Sequence, residues 1–327
     1  MRRLEILAGA AALVLAAAAA LVVAAAAAQA KDKVRLVDSQ ATVFAHFGIY
    51  QAVAEGYFDA EDLDVSIIVA RGGSDALQAV VTGSQDVTMF PGILSVIAAY
   101  AKGAPVAIIG AGVRGVPDTY WYVKADSPIK SFKDMEGREL VYSSPGSLSD
   151  LAVKTFAKEA GVKPKFVSVG SMAASRTQLM SGQTDTGYTG MPANYDLIRS
   201  GEVRMLISGA DSPTLKGMTT RVAVANTAWL AKNRDVAARL MRALWRGHLY
   251  NFSAGEKAFA RYAEYWKVDI ADVRKMYDFY VLDDVRPAPL LKLDDSVSLA
   301  KDFDFIKEPL TAEQKAGLVS IVHDPGR

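Results

Sequence analysis

The sequence predicts an α/β fold of two lobes, each a mostly parallel sheet flanked by helices, with a helical C-terminal region. Short runs rich in β-branched residues alternate with helix-like stretches, which is typical of strand–helix–strand units. An internal repeat supports two lobes, because residues 82–86 (TGSQD) return in altered form as residues 181–185 (SGQTD). Each copy closes a helix-like stretch and opens a strand-like run that ends at a proline, Pro91 or Pro192. Two similar lobes that face each other predict a cleft between them.

The first part of the chain contains four predicted strands and three predicted helices. The strands are apolar runs of four or five residues, which is too short for buried helices. The first helix has an apolar face, and the second begins at the N-cap residue Ser74 and ends at Gly83 of the repeat. In chain order we predict strand 34–37, helix 43–58, strand 65–69, helix 74–82, strand 87–90, helix 93–102 and strand 106–109.

The second part of the chain begins with the same alternation and ends in helices. After a strand at 221–225, the pattern has helical periodicity with charges on one side. The tail from Pro287 is polar and loop-rich, with one late helix. We predict strands at 120–123, 139–142, 166–169, 186–188, 205–207 and 221–225, a short segment at 132–136, and helices at 150–160, 173–180, 226–253, 256–266, 270–280 and 312–322.

Glycine, proline and polar residues mark two predicted crossings between the lobes, near residues 115–117 and 217–220. Such residues are common at hinges. We therefore predict one lobe from residues 31–116 and 220–327 and the other from residues 117–219, with the C-terminal tail packed on the first lobe.

Residues 1–30 are predicted to be a secretory signal peptide that is cleaved after Ala30. Arg2 and Arg3 precede a continuous apolar run at 8–28, and residues 28–30 (AQA) fit a small-residue cleavage site. The apolar run is also long enough to be an uncleaved membrane anchor. Its alanine-rich composition and its cleavage site favour the signal peptide, and therefore a periplasmic location.

The chain has 37 basic residues, 36 acidic residues and no cysteine. Loss of the signal peptide removes two basic residues and one acidic residue, and the resulting neutral chain is unlike nucleic-acid-binding or basic membrane-binding proteins. The absence of cysteine excludes disulfides and disfavours a zinc site. The three histidines, His46, His248 and His323, are far apart in sequence, and no G-x-S-x-G motif occurs. The sequence therefore predicts no catalytic residue, no metal and no cofactor.

Candidate ligand-binding residues follow predicted strands, where open α/β sheets bind their ligands. Residues 71–74 (RGGS) and the hydroxyl-rich residues 143–150 (SSPGSLSD) each join a strand to a helix, where backbone N–H groups favour an anion; plain helix capping is the alternative. Aromatic residues after the repeats would either line a pocket or lie in the core. Arg71, Arg114 and Arg176 would either face an anion or be solvated. The candidates are Gln40, Thr42, His46, Arg71, Gly72, Gly73, Ser74, Phe90, Pro91, Arg114, Ser144, Gly146, Ser147, Ser149, Tyr188, Met191 and Asn194.

Residues 110–115 (GAGVRG) match the glycine pattern of dinucleotide-binding sites. That pattern needs a helix to begin at the glycines, so that its N-terminus faces the pyrophosphate. Here Pro117 and a β-rich run follow instead, and we interpret the glycines as part of a flexible crossing.

Residues 51–58 (QAVAEGYF), followed by residues 61–65 (EDLDV), resemble a stretch of periplasmic solute-binding proteins of ABC importers, in the nitrate/sulfonate/taurine group related to thiamine-precursor binders. Residues 71–74, 82–87 and 131–138 (SFKDMEGR) are similar to the next landmarks of that family, and the similarity extends from about residue 34 to about residue 253. The resemblance implies a type II periplasmic-binding-protein fold that closes on its ligand and docks on a membrane permease. It places ligand contacts within residues 40–46, 72–74, 90–92, 144–149 and 188–194.

We therefore predict an exported, monomeric solute-binding protein of an ABC uptake system, which binds a small organic anion such as a sulfonate or carboxylate. A nitrogenous heterocycle stacked on Tyr188 or Phe90 is the alternative ligand. Related pyrimidine-synthesising enzymes have a cysteine-bearing pattern that this chain lacks, which disfavours an enzyme of the thiamine-precursor type. A sensor that delivers its closed form to a receptor is a further alternative.

Overall fold

The structure, a computed structural model, describes residues 30–40 and 43–326. The predicted signal peptide, apart from Ala30, and the candidate site residue Thr42 lie outside the described residues. Within the described ranges, no helix is both long and apolar enough to cross a bilayer.

Five strands form the larger sheet, in the order β2-β1-β3-β10-β4. Strand β1 runs parallel to β3, whereas β10 is antiparallel to both of its neighbours, β3 and β4. Every residue of β3 and β10 is buried, because both strands lie inside the sheet and are covered by helices. The strands are β1 (Asp32–Asp38), β2 (Leu63–Val69), β3 (Val87–Gly92), β4 (Val106–Arg114) and β10 (Thr219–Asn226).

The remaining strands form a three-stranded sheet, β8-β5-β9, and a two-stranded sheet, β6-β7. A threonine side chain joins them: Oγ1 of Thr186, just before β8, donates to the carbonyl of Glu139 at 2.9 Å and accepts from the N–H of Val141 at 3.1 Å. The joined order β7-β6-β8-β5-β9 corresponds strand by strand to the larger sheet. These strands are β5 (Thr119–Lys124), β6 (Glu139–Tyr142), β7 (Lys165–Ser168), β8 (Gly187–Gly190) and β9 (Val203–Ser208).

The strand directions are mixed, where the sequence predicted mostly parallel sheets. Strands β6 and β7 are parallel, but β5 is antiparallel to both β8 and β9. Strand β5 comes directly after the crossing from β4, and β10 comes directly after the return from β9. Each crossing strand enters the middle of its new sheet antiparallel to its partners, which short alternating patterns do not reveal.

The internal repeat forms the same local structure twice. Gly83 and Gly182 end their helices with positive φ angles of 73° and 79°, which glycine adopts without strain. The last residue of each copy then accepts a backbone N–H of the neighbouring strand: Asp86 from Arg35 of β1 at 2.8 Å, and Asp185 from Glu139 of β6 at 2.9 Å. The repeat therefore fixes one helix–strand turn and one strand end in each half of the molecule.

Twelve α-helices cover the sheets among the described residues. The helix predicted at 43–58 is shorter, and the helix predicted at 226–253 is broken at residues 231–233. Two helices, α6 and α11, were not predicted: α6 has only six residues, and α11 lies in the polar tail with two aspartates in its first turn. The helices are α1 (Phe47–Ala54), α2 (Gly73–Val81), α3 (Ile93–Ala101), α4 (Leu148–Ala160), α5 (Met172–Met180), α6 (Tyr195–Ser200), α7 (Thr227–Leu230), α8 (Arg234–Ser253), α9 (Glu256–Trp266), α10 (Ile270–Met276), α11 (Leu293–Asp302) and α12 (Ala312–Leu318).

The C-terminal tail packs against β4. Val319 forms a parallel bridge with Ile108. The N–H groups of Ser320 and Val322 donate to the carbonyls of Ile108 and Ile109 at 2.8 Å and 3.0 Å. The tail therefore continues the sheet at the β4 edge.

We expect the repeated aspartates to stabilise the fold unequally. Asp86→Ala should lower the free energy of unfolding by about 1.5–3 kcal/mol, because it removes a buried charged acceptor that also binds the Arg35 guanidinium. Asp185→Ala should cost less, because Asp185 is only half-buried. Urea unfolding measures both values, with the exposed Asp126→Ala as the control, for which a change within about 0.5 kcal/mol is expected. Equal effects of all three substitutions would contradict the structural role of the repeat.

Candidate functional site

A cavity lies at the end of the larger sheet where β1 and β3 terminate, facing the loops that follow β6 and β8. Its volume of about 40 Å³ is room for only a few water molecules. Loops from two sides meet beside it, since Oγ of Ser74 lies 3.1 Å from Oγ of Ser144. The lining residues are Ser39, Gln40, His46, Arg71, Gly72, Gly73, Phe90, Gly92, Thr119, Ser143, Ser147, Leu148, Ser149, Met172, Tyr188 and Arg221.

Four helices begin at this cavity. Gly72 and Gly73 open α2, Gly92 is the N-cap of α3, Ser147 is the N-cap of α4, and Met172 is the first residue of α5. The N-terminus of a helix carries partial positive charge and N–H groups without helical acceptors. The backbone therefore makes the cavity favourable for negative charge without any cationic side chain.

Hydroxyl groups line the side of the cavity next to α4. Oγ of Ser149 lies 2.9 Å from Oγ of Ser143 and 3.0 Å from Oγ of Ser147. Ser147 also caps α4, because its Oγ accepts the N–H of Asp150 at 3.2 Å. The sequence thus combines helix capping and cavity lining in the same serines, and the two interpretations of residues 143–150 do not compete.

Tyr188 joins the serine cluster from β8. Burial raises the pKa of its hydroxyl to about 12, although hydrogen bonds to Ser143 and Ser149 act in the opposite direction. The hydroxyl therefore stays protonated and neutral at physiological pH. Behind the cavity, the Tyr188 ring stacks on Trp121 with 5.9 Å between ring centroids, and Nε1 of Trp121 donates to the carbonyl of Val141 at 2.8 Å.

The floor of the cavity contains a buried ion pair, Arg221–Asp118. The two guanidinium nitrogens of Arg221 lie 3.1 Å and 3.3 Å from the carboxylate oxygens, and Thr119 and Tyr280 accept further hydrogen bonds. Burial opposes the charge of Arg221, but the Asp118 carboxylate more than offsets this and raises the pKa of the guanidinium. Arg221 is therefore charged, and its charge is already compensated by Asp118.

His46 and Phe90 also line the cavity. Nδ1 of His46 contacts the buried Asp38 carboxylate, and the His46 ring lies 4.3 Å from the Phe90 ring between centroids. Phe90 has a positive φ of 67°, a strained conformation for an aromatic residue, which turns the chain from β3 towards the cavity. On the other side of Phe90, His248 lies 6.3 Å away between centroids. Two histidines that are distant in sequence therefore flank one aromatic ring.

The cavity brings together nine of the candidates taken from the sequence. Ser74 and Ser144 lie beside it, in the contact between the two loops. Five others do not line it, because they serve the fold. Pro91 packs on Gly73, the N–H of Gly146 binds Asp150, Met191 lies in the core, and Asn194 bridges Tyr122 and Arg176. The nine lining candidates are Gln40, His46, Arg71, Gly72, Gly73, Phe90, Ser147, Ser149 and Tyr188.

The three arginines considered for an anion do not act as buried cations in the cavity. Arg114, the fifth candidate outside it, pairs with Asp283, and Arg176 pairs with Asp196 and Asn194. Arg71 touches the cavity, but its side chain is 89% exposed and pairs with Asp75. These partners are 4 to 169 residues away, and only the nearest could be seen in the sequence.

Seven lining residues are not among the individually named candidates, although Gly92 and Leu148 lie in ranges that the family resemblance implies: Ser39, Gly92, Thr119, Ser143, Leu148, Met172 and Arg221. The sequence does contain a signal for Arg221. It is the single charged residue of strand β10, and a buried arginine needs a partner. Ser143 and Leu148 lie within residues 143–150, the serine-rich segment that the sequence predicts to favour an anion. Within the described residues, no group of histidine, aspartate or glutamate side chains is arranged to hold a metal.

Comparison with known proteins agrees with this architecture. The sequence profile of the family described as NMT1/THI5 like matches residues 43–258. The chain belongs to the NMT1/THI5-like family. A relative from Candida albicans, named 4-amino-5-hydroxymethyl-2-methylpyrimidine phosphate synthase, is 23% identical over 236 residues, which is 67% of each chain.

Two solved structures show the fold of this family member. The alkanesulfonate-binding protein SsuA from Xanthomonas axonopodis, bound to MOPS, matches 90% of this chain and all of its own, with a TM-score of 0.76 and 17% identity. The periplasmic aliphatic sulphonate-binding protein SsuA from Escherichia coli matches 84% of this chain and 91% of its own, with a TM-score of 0.68 and 19% identity. The family member therefore has the periplasmic-binding-protein fold, as its sequence predicted.

The buried histidine behind Phe90 should make the protein sensitive to acid. Burial, with a smaller contribution from His46, lowers the pKa of His248 to about 3. Between about pH 6.5 and pH 3 the unfolded chain binds a proton at His248 that the folded chain does not, so stability falls as pH falls. From pH 7 to pH 5, wild type should lose about 2 kcal/mol more than His248→Gln in urea unfolding. Equal losses in the two proteins would contradict a neutral, buried His248.

Proposed function

We propose that this protein is the extracytoplasmic solute-binding component of an ABC uptake system and that it binds a small organic anion in the cavity. The observation that carries the proposal is the convergence of four helix N-termini on a hydroxyl-lined cavity whose buried arginine is already paired. Such a site suits an anion that is held by dipoles and hydrogen bonds. A sulfonate or a carboxylate has the oxygen acceptors that these donors require.

The ligand class is supported by both sides of the cavity. The N–H groups at the start of α2 and α4 and the hydroxyls of Ser143, Ser147 and Ser149 line the cavity, where they would bind oxyanion oxygens. Phe90 and Tyr188 give the rest of the cavity aromatic surface for an organic group. The relatives with solved structures include SsuA proteins named for sulfonate binding.

We infer a hinge mechanism with residues 31–116 and 220–327 in one lobe and residues 117–219 in the other. The cavity is lined from both proposed lobes, by Gly73 and Phe90 on one side and Ser147 and Tyr188 on the other. Its present volume is too small for an organic anion, so the contact between Ser74 and Ser144 must separate to admit one. A ligand that contacts both lobes then favours the closed form.

Export and transport complete the proposal. The signal peptide cleaved after Ala30 would place the mature protein in the periplasm, where a monomer would deliver its ligand to an inner-membrane permease. The SsuA structures support this role, because one of them is described as periplasmic. If the protein serves an ABC importer, we expect genes for an ATPase and a permease to lie next to its gene.

A pyrimidine-precursor function is the second candidate, as binding protein or enzyme. It is favoured by the Candida albicans relative, named as a pyrimidine phosphate synthase, and by an imidazole in the cavity, His46. Against the enzyme, this chain has no cysteine. Product formed from candidate precursors, and lost in His46→Gln, would establish the enzyme and overturn the transport proposal.

Thermal-shift screening of the purified mature protein tests the ligand class. Sulfonates, carboxylates and pyrimidines are compared, because only a compound that binds the folded state raises the melting temperature. Gly73→Asp should then weaken binding of an anion at least tenfold, while the isosteric, neutral Gly73→Asn should weaken it much less. The surroundings of Gly73 tolerate a Cβ atom, which would come no closer than 3.4 Å to its neighbours. Equal affinity of the aspartate and asparagine variants would contradict an anionic ligand at this helix N-terminus.

Small-angle X-ray scattering tests the hinge. A ligand found by the screen should reduce the radius of gyration of the wild type, because it shifts the population towards the closed form. The Gly73→Asp variant should keep the radius of gyration of the ligand-free protein at the same ligand concentration. A radius of gyration that no binding ligand changes would contradict hinge closure.

A further inference from the structure

The Asp38 carboxylate is buried behind the cavity at the end of β1, with no exposed surface. Three donors surround it: Nδ1 of His46, the hydroxyl of Tyr50 at 2.9 Å and the backbone N–H of Gln40 at 3.2 Å. An ionised carboxylate only accepts hydrogen bonds, so the imidazole nitrogen that faces it carries the proton. The carboxylate therefore selects one tautomer of His46.

The fold holds His46 in one orientation. Its backbone N–H donates to the carbonyl of Val43 at 2.9 Å, at the turn that leads into α1, and its ring packs against Phe90. With Nδ1 engaged by Asp38, Nε2 is the ring nitrogen left for a molecule in the cavity that His46 lines. A neutral imidazole protonated at Nδ1 offers at Nε2 a lone pair, which is a hydrogen-bond acceptor.

We propose that Asp38 is a positioning residue that presents Nε2 of His46 as a hydrogen-bond acceptor, so that the ligand carries a hydroxyl or amino group in addition to its anionic group. This inference rests on the proposed anion-binding function, because it assigns the second end of the same ligand. The anionic group lies at the serines and helix N-termini, and the donor group lies at His46. A ligand without the donor leaves a buried acceptor unpaired, and this selects against simple alkyl anions.

His46 is the candidate acceptor for the ligand's donor group because the other titratable groups at the cavity are paired or protonated. Arg221 is paired with Asp118, Arg71 is paired with Asp75, and the Tyr188 hydroxyl stays protonated. His248 lies behind Phe90 and does not line the cavity. The position of Asp38, immediately behind His46, is thus the feature that sets the polarity of this wall.

Nitrogen-15 NMR of the imidazole rings tests the positioning without any ligand. The chain has three histidines, which His→Gln variants at each position assign. We expect His46 of the neutral-pH wild type to be protonated at Nδ1 and unprotonated at Nε2, and Asp38→Asn to shift the proton towards Nε2, because the asparagine amide can donate to Nδ1. Tyr50→Phe removes another donor to Asp38 and should leave the tautomer unchanged. An unprotonated Nδ1 or a protonated Nε2 in the wild type, which requires no variant to fold, would overturn the proposal, as would an unchanged tautomer in folded Asp38→Asn.

Matched ligands test the donor group. Alkanesulfonates of two to four carbons are compared by calorimetry with ω-hydroxyalkanesulfonates of the same length. At one chain length, the hydroxylated probe should bind the wild type roughly two- to tenfold more tightly, and Asp38→Asn should reduce that ratio. Equal affinities at every length would overturn the assigned donor. If neither these sulfonates nor the corresponding carboxylates bind, the ligand class of the proposed function has failed, and the tautomer measurement still decides whether Asp38 positions His46.

Discussion

The buried ion pair between Arg221 and Asp118 is the interaction on which the arrangement of the two sheets depends. Asp118 ends the crossing into β5, and Arg221 lies in β10 just after the return, so the pair ties both connections together. Two buried charges are costly to desolvate, and removal of one partner costs about 3–5 kcal/mol because the other is left unpaired. Thr119 and Tyr280 accept the remaining hydrogen bonds of the Arg221 guanidinium. The floor of the cavity therefore contains one positive and one negative group and has no net charge.

Neutrality of the floor gives the backbone the main electrostatic role in the cavity. Four helices of nine or more residues begin there, and the serine that caps α4 also lines the cavity. The repeat contributes indirectly, because its glycines and aspartates fix the start of β3 and β8, which end at Phe90–Gly92 and Gly190 beside the cavity. The same local structure, used twice, therefore positions cavity-lining residues of both β3 and β8.

The parts of this structure that could be predicted from the sequence are those with local causes. The two glycine–aspartate turns and the capped loops at 71–74 and 143–150 depend on residues within a few positions of each other. The features that the sequence does not reveal have distant causes: Arg114 pairs with Asp283, and β10 inserts antiparallel between strands more than a hundred residues earlier in the chain. Gly110 and Gly112 of the glycine pattern lie within β4, where an added Cβ at Gly112 would approach Phe90 and the Arg221 backbone within 3 Å. These two glycines serve close packing, and Gly115, just after the strand, has a positive φ of 66°. A linear motif cannot distinguish either role from nucleotide binding.

The stacking of Tyr188 on Trp121 gives the molecule an internal optical reporter. Tyr188 faces the cavity on one side, and the indole on its other side is fully buried and hydrogen-bonded at Nε1. Trp121, one of the four tryptophans in the chain, is thus separated from the cavity by a single aromatic ring, that of Tyr188. Its fluorescence emission would register occupancy of the cavity without any attached dye.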